Sequence, residues 1–205
     1  MIPKIVAIDP GGHTGIAAFD GERMVIDTLD LPPTPGNPGA RLTDALNQLN
    51  AIMALIKPEL VATEDTSFAA RSAAQRTASL HLNAMTHCSA YSHGAPVLVV
   101  PPQTWKKFAL GFGGMNKDDV AAAVQAHGLL CGTQDEADAC GILCGALVKH
   151  RDFDPDAVWQ HLAAVPQERL QPDGNGGYKT AAIRRASTAS TGTTGTTGTT
   201  EKEAV

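Results

Sequence analysis

Short apolar runs separated by turn signals occupy the first thirty residues, and this pattern predicts strands. Residues 4–9 (KIVAID) predict a first strand, Pro10-Gly11-Gly12 a tight turn, and residues 14–19 (TGIAAF) a returning second strand. Residues 24–28 (MVIDT) predict a third strand, which ends before a loop rich in proline and glycine at 31–39. We therefore expect three antiparallel strands at the N-terminal end.

Helical periodicity follows this loop. Apolar residues recur every three to four positions over 40–56, which predicts a helix. Residues 60–63 (LVAT) predict a buried strand, and a long alanine-rich helical stretch covers 69–90. Residues 96–100 (PVLVV) are apolar throughout, as is typical of a central parallel strand.

Three further helices are predicted at 103–110, 117–130 and 135–150, with a glycine-rich loop at 111–116 (GFGGMN) between the first two. We interpret this loop as a flap over the substrate. The order of elements predicts an α/β fold with a mixed five-stranded sheet, in which three antiparallel strands are followed by parallel strands and helices flank the sheet.

The composition changes after the last of these helices. We predict a compact domain at 1–150, a helical extension at 151–171 and a disordered tail at 172–205. The tail contains STASTGTTGTTGTT at 187–200, a low-complexity segment that cannot bury a core. A chain of 205 residues is long enough for one α/β domain with an appendage, but not for two full domains.

Cysteine usage and hydropathy bear on the compartment. The four cysteines show no CxxC spacing, and neither a signal sequence nor an apolar run of membrane-spanning length is present. We expect a reduced, cytoplasmic setting and no membrane partner. Cys140 and Cys144, four residues apart on a predicted helix, are interpreted as small apolar core residues rather than metal ligands.

The net charge of −5 argues against a nucleic-acid-binding protein until the charges are located. No acidic residue occurs from Thr66 to Lys117, and the basic residues there are Arg71, Arg76, Lys106, Lys107 and Lys117. A protein that binds a polyanion needs a basic face rather than a basic total. We predict that these five residues contact nucleic acid; the alternative is a chance gap in an alanine-rich region.

Four carboxylates stand where a metal-dependent nuclease would need them. Asp9 and Glu64 each end an apolar run, and Asp135 and Asp138 open an apolar helix one turn apart, so that both face the same way. An unpaired ion in an apolar setting is costly, so a shared divalent metal is the expected reason for these positions. For the helix pair, the alternative is the general preference for acids at a helix N-terminus.

Neighbouring polar residues are excluded from this set. Glu136 is expected to point away and to be solvated, and Asp65 is aimed at the opposite face of its strand. The seven histidines show no HExxH or Cys-His spacing, which disfavours zinc. The loop at 111–114 lacks the Lys-Ser/Thr ending of a phosphate-binding P-loop.

The motifs together resemble the RNase H-like nucleases and, within them, the RuvC family of Holliday junction resolvases. Ile8-Asp9-Pro10-Gly11 followed by Thr14-Gly15 resembles that family's opening strand and turn. Ala62-Thr63-Glu64 resembles the strand that ends in the catalytic glutamate, and residues 135–139 (DEADA) resemble the final helix with its two acids. The resemblance covers residues 1–150.

Two further segments carry the resemblance. Lys117, which follows the glycine-rich loop, resembles the family's basic residue near the scissile phosphate. Residues 101–107 (PPQTWKK) resemble phage-type members in particular, which also favours a phage-encoded protein. One departure concerns specificity, because Ser67 holds the place of the family's aromatic residue and Phe68 follows it. Phe68 is a candidate for stacking on a base, or alternatively a core residue.

The resemblance implies an RNase H-like fold and a homodimeric crossover junction endodeoxyribonuclease, whose partner is branched DNA with a four-way junction. It also implies two bound Mg²⁺ ions, for which Mn²⁺ substitutes, because oxygen ligands suit these hard cations. The predicted catalytic and metal-binding acids are Asp9, Glu64, Asp135 and Asp138. Lys117 is the predicted catalytic cation, and it is expected to contact DNA together with Arg71, Arg76, Lys106, Lys107 and Phe68.

Two alternatives remain open. A related nuclease that cuts flaps, Y-forks or structured RNA would need the same acids without a dimer matched to a symmetric junction. A non-catalytic DNA-binding protein is disfavoured, because it gains nothing from carboxylates that face phosphate. Residues 9–15 also resemble, faintly, the phosphate-binding turn of sugar kinases and actin-like ATPases. This interpretation is rejected, because those proteins need two such domains and this chain is too short for them.

Overall fold

The computed structural model describes residues 1–31, 37–66 and 73–183. These residues form one mixed sheet of seven strands: β1 (Ile5–Asp9), β2 (His13–Phe19), β3 (Met24–Asp30), β4 (Leu60–Glu64), β5 (Val97–Val100), β6 (Gln167–Pro172) and β7 (Tyr178–Ala182). The strand order across the sheet is β5-β4-β1-β2-β3-β6-β7. Strands β1, β2 and β3 pair in antiparallel fashion, and β4 and β5 are added in parallel beside β1, as the sequence predicts.

Six helices flank the sheet in the described residues: α1 (Pro38–Ile56), α2 (Ala73–Ser92), α3 (Pro102–Leu110), α4 (Lys117–Ala126), α5 (Gln134–Arg151) and α6 (Pro155–Ala164). Each predicted helix is present, although α4 ends four residues earlier than expected, and the predicted start of the second helix at 69–72 lies outside the described residues. None of these helices has the length and the hydropathy needed to cross a membrane.

Strand β1 shows how the core is divided between the two faces of the sheet. Ile5 and Ala7 point to one face, where they join a core built around α5 that also contains the buried Cys140 and Cys144. Val6 and Ile8 point to the other face, where they pack with residues of α1 and α2. Because helices cover both faces, every residue of β1 is buried. Its carboxyl end is therefore held rigidly.

The C-terminal part of the chain differs from the prediction. The sheet has seven strands rather than five, because β6 adds to β3 in parallel and β7 returns antiparallel to β6. The prediction of a helical extension up to 171 and of a disordered tail from 172 is therefore wrong for residues 167–183, although α6 is present. Leu170 is the buried apolar residue of β6, and this weak apolar signal hid the strand. The low-complexity segment lies outside the described residues.

Candidate active site

Asp9 and Glu64 end two neighbouring parallel strands. Ile8 of β1 pairs with Thr63 of β4, so the next residue of each strand lies at the same edge of the sheet. Asp9 is 4% exposed and Glu64 is 6% exposed. The sequence prediction that these acids stand at the ends of buried strands is confirmed by the register.

Helix α5 brings Asp135 and Asp138 to this edge. Thr133 caps the helix, because its hydroxyl oxygen accepts a hydrogen bond of 3.1 Å from the backbone N–H of Glu136. The first turn of the helix lies directly on Gly15, the residue of β2 that pairs with Asp9. A Cβ atom on Gly15 would stand 1.9 Å from the carbonyl oxygen of Asp135, so only glycine permits this approach.

The approach creates a cluster of three carboxylates. Asp9, Asp135 and Asp138 each offer an oxygen, and these oxygens lie within 4.8 Å of one another. Burial raises the pKa of Asp9 well above its usual value, and repulsion from Glu64 and Asp138 raises it further. Burial also raises the pKa of Asp138, although the positive charge of Lys117 opposes this effect. A cation at this place would therefore stabilise both ionised acids.

Lys117 supplies one such positive charge. Its Nζ lies 2.7 Å from Asp135 Oδ1 and 3.2 Å from Asp138 Oδ2. Partial burial lowers the pKa of Lys117, but the hydrogen bond to Asp135 and the charges of Asp138 and Asp9 outweigh burial and raise that pKa above its ordinary value. Lys117 is the first residue of α4, as predicted, and it joins the acids in one site.

The carboxylates fit a metal ion. Asp138 Oδ1 is buried, and no hydrogen-bond partner for it is found in the described part of the chain. A buried carboxylate oxygen without a donor is costly unless a cation satisfies it. The three acids offer only oxygen ligands, which are preferred by hard cations such as Mg²⁺ and Mn²⁺. The triad can therefore bind a metal ion.

Glu64 stands beside the triad rather than within it. The indole N–H of Trp105 donates a hydrogen bond of 2.9 Å to Glu64 Oε2, and Trp105 is fully buried. Gly141 of α5 makes room for this indole, since a Cβ atom there would lie 2.4 Å from the ring carbon Cζ3. Glu64 nevertheless lies close enough to Asp9 to raise the pKa of that acid. Trp105 lies in the segment 101–107 that carries part of the family resemblance, but nothing in the sequence predicts its contact with Glu64.

The predicted DNA-contacting residues are dispersed. Lys106 donates a hydrogen bond of 2.8 Å to the carbonyl oxygen of Met115, which fixes the loop before α4. Its charge also lowers the pKa of Asp138, so Lys106 lies near the acids. The residues Lys107 of α3 and Arg76 of α2 are exposed, and Arg71 and Phe68 lie outside the described residues.

Glu136 corrects a prediction. It was expected to be solvated, yet it is 3% exposed and accepts a hydrogen bond from the guanidinium of Arg169 in β6. The reason is that α5 is covered on all sides, and the unpredicted strand β6 covers the side that was assigned to solvent. No periodicity in the sequence signals this pair, because Arg169 lies 33 residues away in a strand without an apolar pattern.

Comparisons with known proteins agree with this geometry. No protein-family model matches the chain. Over 149 residues, the chain is 30% identical to the crossover junction endodeoxyribonuclease RuvC of Maricaulis maris (strain MCS10), and the match covers 70% of this chain and 88% of the relative.

Two solved structures show the same fold. RuvC of Thermus thermophilus superposes with a TM-score of 0.61, and the T. thermophilus RuvC in complex with a Holliday junction substrate superposes with a TM-score of 0.63. Each is 21% identical to this chain, and each match covers 73% of this chain and 96% of the other. The predicted RNase H-like α/β fold is therefore confirmed. Together with the identity to the Maricaulis relative, this result places the chain in the RuvC family of crossover junction endodeoxyribonucleases.

Proposed function

We propose that the protein is an endodeoxyribonuclease that resolves Holliday junctions by paired symmetric nicks. The observation that carries this proposal is the group of carboxylates of Asp9, Asp135 and Asp138, whose oxygens lie within 4.8 Å of one another and of which Asp9 and Asp138 are buried. The relative from Maricaulis is named for crossover junction cleavage, and the Thermus homologue was solved with a Holliday junction substrate. Both support the same activity for a chain that shares their fold.

The proposed cofactor is a pair of Mg²⁺ ions, for which Mn²⁺ would substitute. Asp9, Asp135 and Asp138 would hold them together with Glu64. When bound, two such ions supply a nucleophile at neutral pH and stabilise the charge on the leaving oxygen. Asp9 and Glu64 are held at the ends of interior strands, because β1 lies between β2 and β4, and β4 lies between β1 and β5. Glu64 keeps one oxygen engaged by Trp105, so that its carboxylate is oriented before substrate arrives.

Lys117 would act on the phosphate. Its ammonium already lies at 2.7 Å from Asp135, and its raised pKa keeps the proton on Nζ at neutral pH. A protonated Lys117 can donate hydrogen bonds to a phosphate oxygen as negative charge develops there. The side chain is 45% exposed, which leaves it accessible to DNA.

The proposed DNA-contacting set keeps the prediction made from the sequence. Lys106 and Lys107 on α3 would bind backbone phosphate beside the acids, and Arg76 on α2 would extend this basic surface. Arg71 and Phe68 belong to the same proposal. Since phosphate contacts provide affinity without sequence information, the basic residues of this set would determine affinity and salt dependence rather than the sequence at the cut, whereas Phe68 would stack on a base.

We propose a homodimer, because a four-way junction offers two symmetry-related strands to cut. Helix α2 is the proposed interface, and it exposes Leu80 and Tyr91, which are 50% and 86% accessible. The resemblance of residues 101–107 to phage-type members supports a phage-encoded or prophage-encoded enzyme that acts in a bacterial cell. Trp105 and Lys106 of this segment both lie at the site.

A panel of end-labelled DNAs tests the proposed substrate. The purified protein is incubated with Mg²⁺ and a four-way junction, a Y-fork, a flap or a linear duplex of matched arm sequences. We expect paired nicks at symmetry-related positions of the junction and no cutting of duplex. Equal cutting of forks and flaps would favour the broader branched-DNA nuclease, and binding without cutting would favour a non-catalytic DNA-binding protein.

A further inference from the structure

We propose that Arg169 of β6 and Glu136 of α5 form a brace that positions the metal-binding acids. The brace joins the first turn of α5 to the C-terminal strand pair β6–β7. Neither residue belongs to the group of acids that could hold the metal, which is Asp9, Asp135 and Asp138 in the described residues, so both would act through Asp135 and Asp138. The inference rests on the proposed function, since it assigns these two acids to the binding of a divalent cation.

Glu136 is the fixed end of the brace. One carboxylate oxygen accepts hydrogen bonds from Arg169 Nη1 and, at 3.1 Å, from the hydroxyl of Thr28 in β3. The other oxygen accepts a hydrogen bond of 2.6 Å from the backbone N–H of Gly132. With 3% of its surface exposed, the carboxylate of Glu136 is shielded from water, and these donors take the place of the hydrogen bonds that water would supply.

Arg169 connects Glu136 to the sheet. Besides the pair with Glu136, its Nη2 donates a hydrogen bond of 3.3 Å to the carbonyl oxygen of Leu130, and Nη1 lies 3.8 Å from Asp27 Oδ1 in β3. Asp27 also accepts a hydrogen bond of 2.7 Å from the backbone N–H of Leu170. The guanidinium therefore links β6, β3 and the loop that enters α5.

The position of Glu136 in the helix gives the brace its consequence. Glu136 follows Asp135 directly and precedes Asp138 by two residues, so a shift of its backbone moves both acids. The same turn lies against Gly15 with no room on that side, because even a single Cβ atom there would clash with the Asp135 carbonyl. The contact with Gly15 of the sheet and the ion pair with Arg169 together hold the first turn of α5 in place. Loss of Arg169 would leave Glu136 buried without its cation and would drive the turn toward water.

The test measures metal binding without DNA. Wild type, Arg169→Met, Arg169→Lys and Glu136→Gln, each with all 205 residues, are titrated with Mn²⁺, and the free ion is measured by its electron paramagnetic resonance signal. We expect Arg169→Met to weaken Mn²⁺ binding by about tenfold or more, as for other groups that orient metal ligands. Arg169→Lys keeps the charge and should recover part of the loss. Glu136→Gln keeps the shape and loses the charge, and should give a smaller loss.

A matched control separates positioning from general stability. Arg23 in the turn before β3 pairs with Glu168 of the same strand β6 at 3.2 Å, but its partners do not include α5. Arg23→Met should weaken the attachment of β6 and leave Mn²⁺ affinity unchanged. Urea denaturation of each variant reports the folded fraction, and Glu136→Gln decides the question if Arg169→Met does not fold.

Two outcomes overturn the inference in different ways. Wild-type Mn²⁺ affinity in folded Arg169→Met, or in folded Glu136→Gln when the methionine variant fails to fold, would refute the brace alone. A wild-type protein that binds no Mn²⁺ would refute the proposed function and the brace together.

Discussion

Replacement of Gly15 by alanine tests how the site is assembled. The added methyl group would stand 1.9 Å from the carbonyl oxygen of Asp135, 2.4 Å from its carbonyl carbon and 3.1 Å from the backbone nitrogen of Glu136. All three atoms belong to the backbone in the first turn of α5, so no side-chain rotation can relieve the contact. Either the helix or β2 must move.

The size of this movement follows from the distances. Carbon and oxygen atoms in contact lie about 3.4 Å apart, so the helix turn and β2 must separate by roughly 1.5 Å. Overpacking of this kind costs about 1–3 kcal/mol and occasionally more. A displacement of about 1 Å at a catalytic group can cost on the order of 100-fold in rate. Asp135 and Asp138 belong to this helix turn, so the separation displaces them relative to Asp9. We therefore expect junction nicking to fall by at least about 100-fold.

The assay compares Gly15→Ala with Gly12→Ala under single-turnover conditions with Mg²⁺. Gly12 serves as the control, because it lies three residues before Gly15 and a Cβ atom there would have no other atom within 4 Å. Gly12→Ala should cut at the wild-type rate, and thermal denaturation establishes that both variants are folded. Wild-type nicking by folded Gly15→Ala would refute the view that the close contact between α5 and β2 places the acids.

Three further predictions concern single features. Trp105→Phe removes the indole donor from Glu64, and a hydrogen bond to a charged group contributes about 1.5–3 kcal/mol. We therefore expect nicking at limiting Mg²⁺ to slow by about tenfold or more. A rate equal to wild type would show that Glu64 needs no such partner. Asp9→Asn should raise the melting temperature at pH 7 in the presence of a chelator, because burial and the neighbouring carboxylates raise the pKa of Asp9 in the folded state. The sign follows from linkage. Because the pKa of Asp9 is raised in the folded state, the stability that this group contributes is complete below the unfolded-state pKa and is lost as pH rises through the folded-state pKa. The difference in melting temperature between Asp9→Asn and wild type should therefore vanish near pH 3. Deletion of all residues after Ile183 should leave the melting temperature and the rate of nicking unchanged. Deletion of all residues after Pro166 removes β6 and should lower both. Equal behaviour of the two truncated proteins would contradict the structural role of β6.

Much of the fold could be predicted because its strands have strong local signals. Strands β1 to β3 are apolar runs bounded by glycine, proline or charged turn residues, and β5 is apolar throughout. Strand β6 could not be predicted in this way. Its sequence is QERLQP, with Leu170 as the apolar residue, and side-chain contacts of Arg169 and Glu168 help to hold it beside β3. Polar pairing between residues 143 positions apart leaves no periodic pattern along the chain.

The candidate site divides in a similar way. Asp9 and Glu64 were identifiable because an acid at the end of a buried strand is unusual, and Asp135 and Asp138 because they are one helical turn apart. The prediction that Glu136 is solvated was wrong. An amphipathic pattern assigns one side of a helix to solvent, whereas α5 is buried on all sides from Glu136 to Leu147. Contacts made only in three dimensions, such as that between Trp105 and Glu64, give no signal in the spacing.

The most direct test of the account is a Mg²⁺ titration of junction cleavage in which each of the four strands is labelled in turn. Wild type should nick two opposed strands at symmetric positions, and a chelator should abolish both nicks. Asp138→Asn should bind the junction in a gel-shift assay and cut neither strand, because it removes the charge of a buried carboxylate in the triad. Cleavage by Asp138→Asn at the wild-type rate, or cleavage that continues without divalent ions, would contradict the assignment of the acidic cluster as the metal-dependent active site.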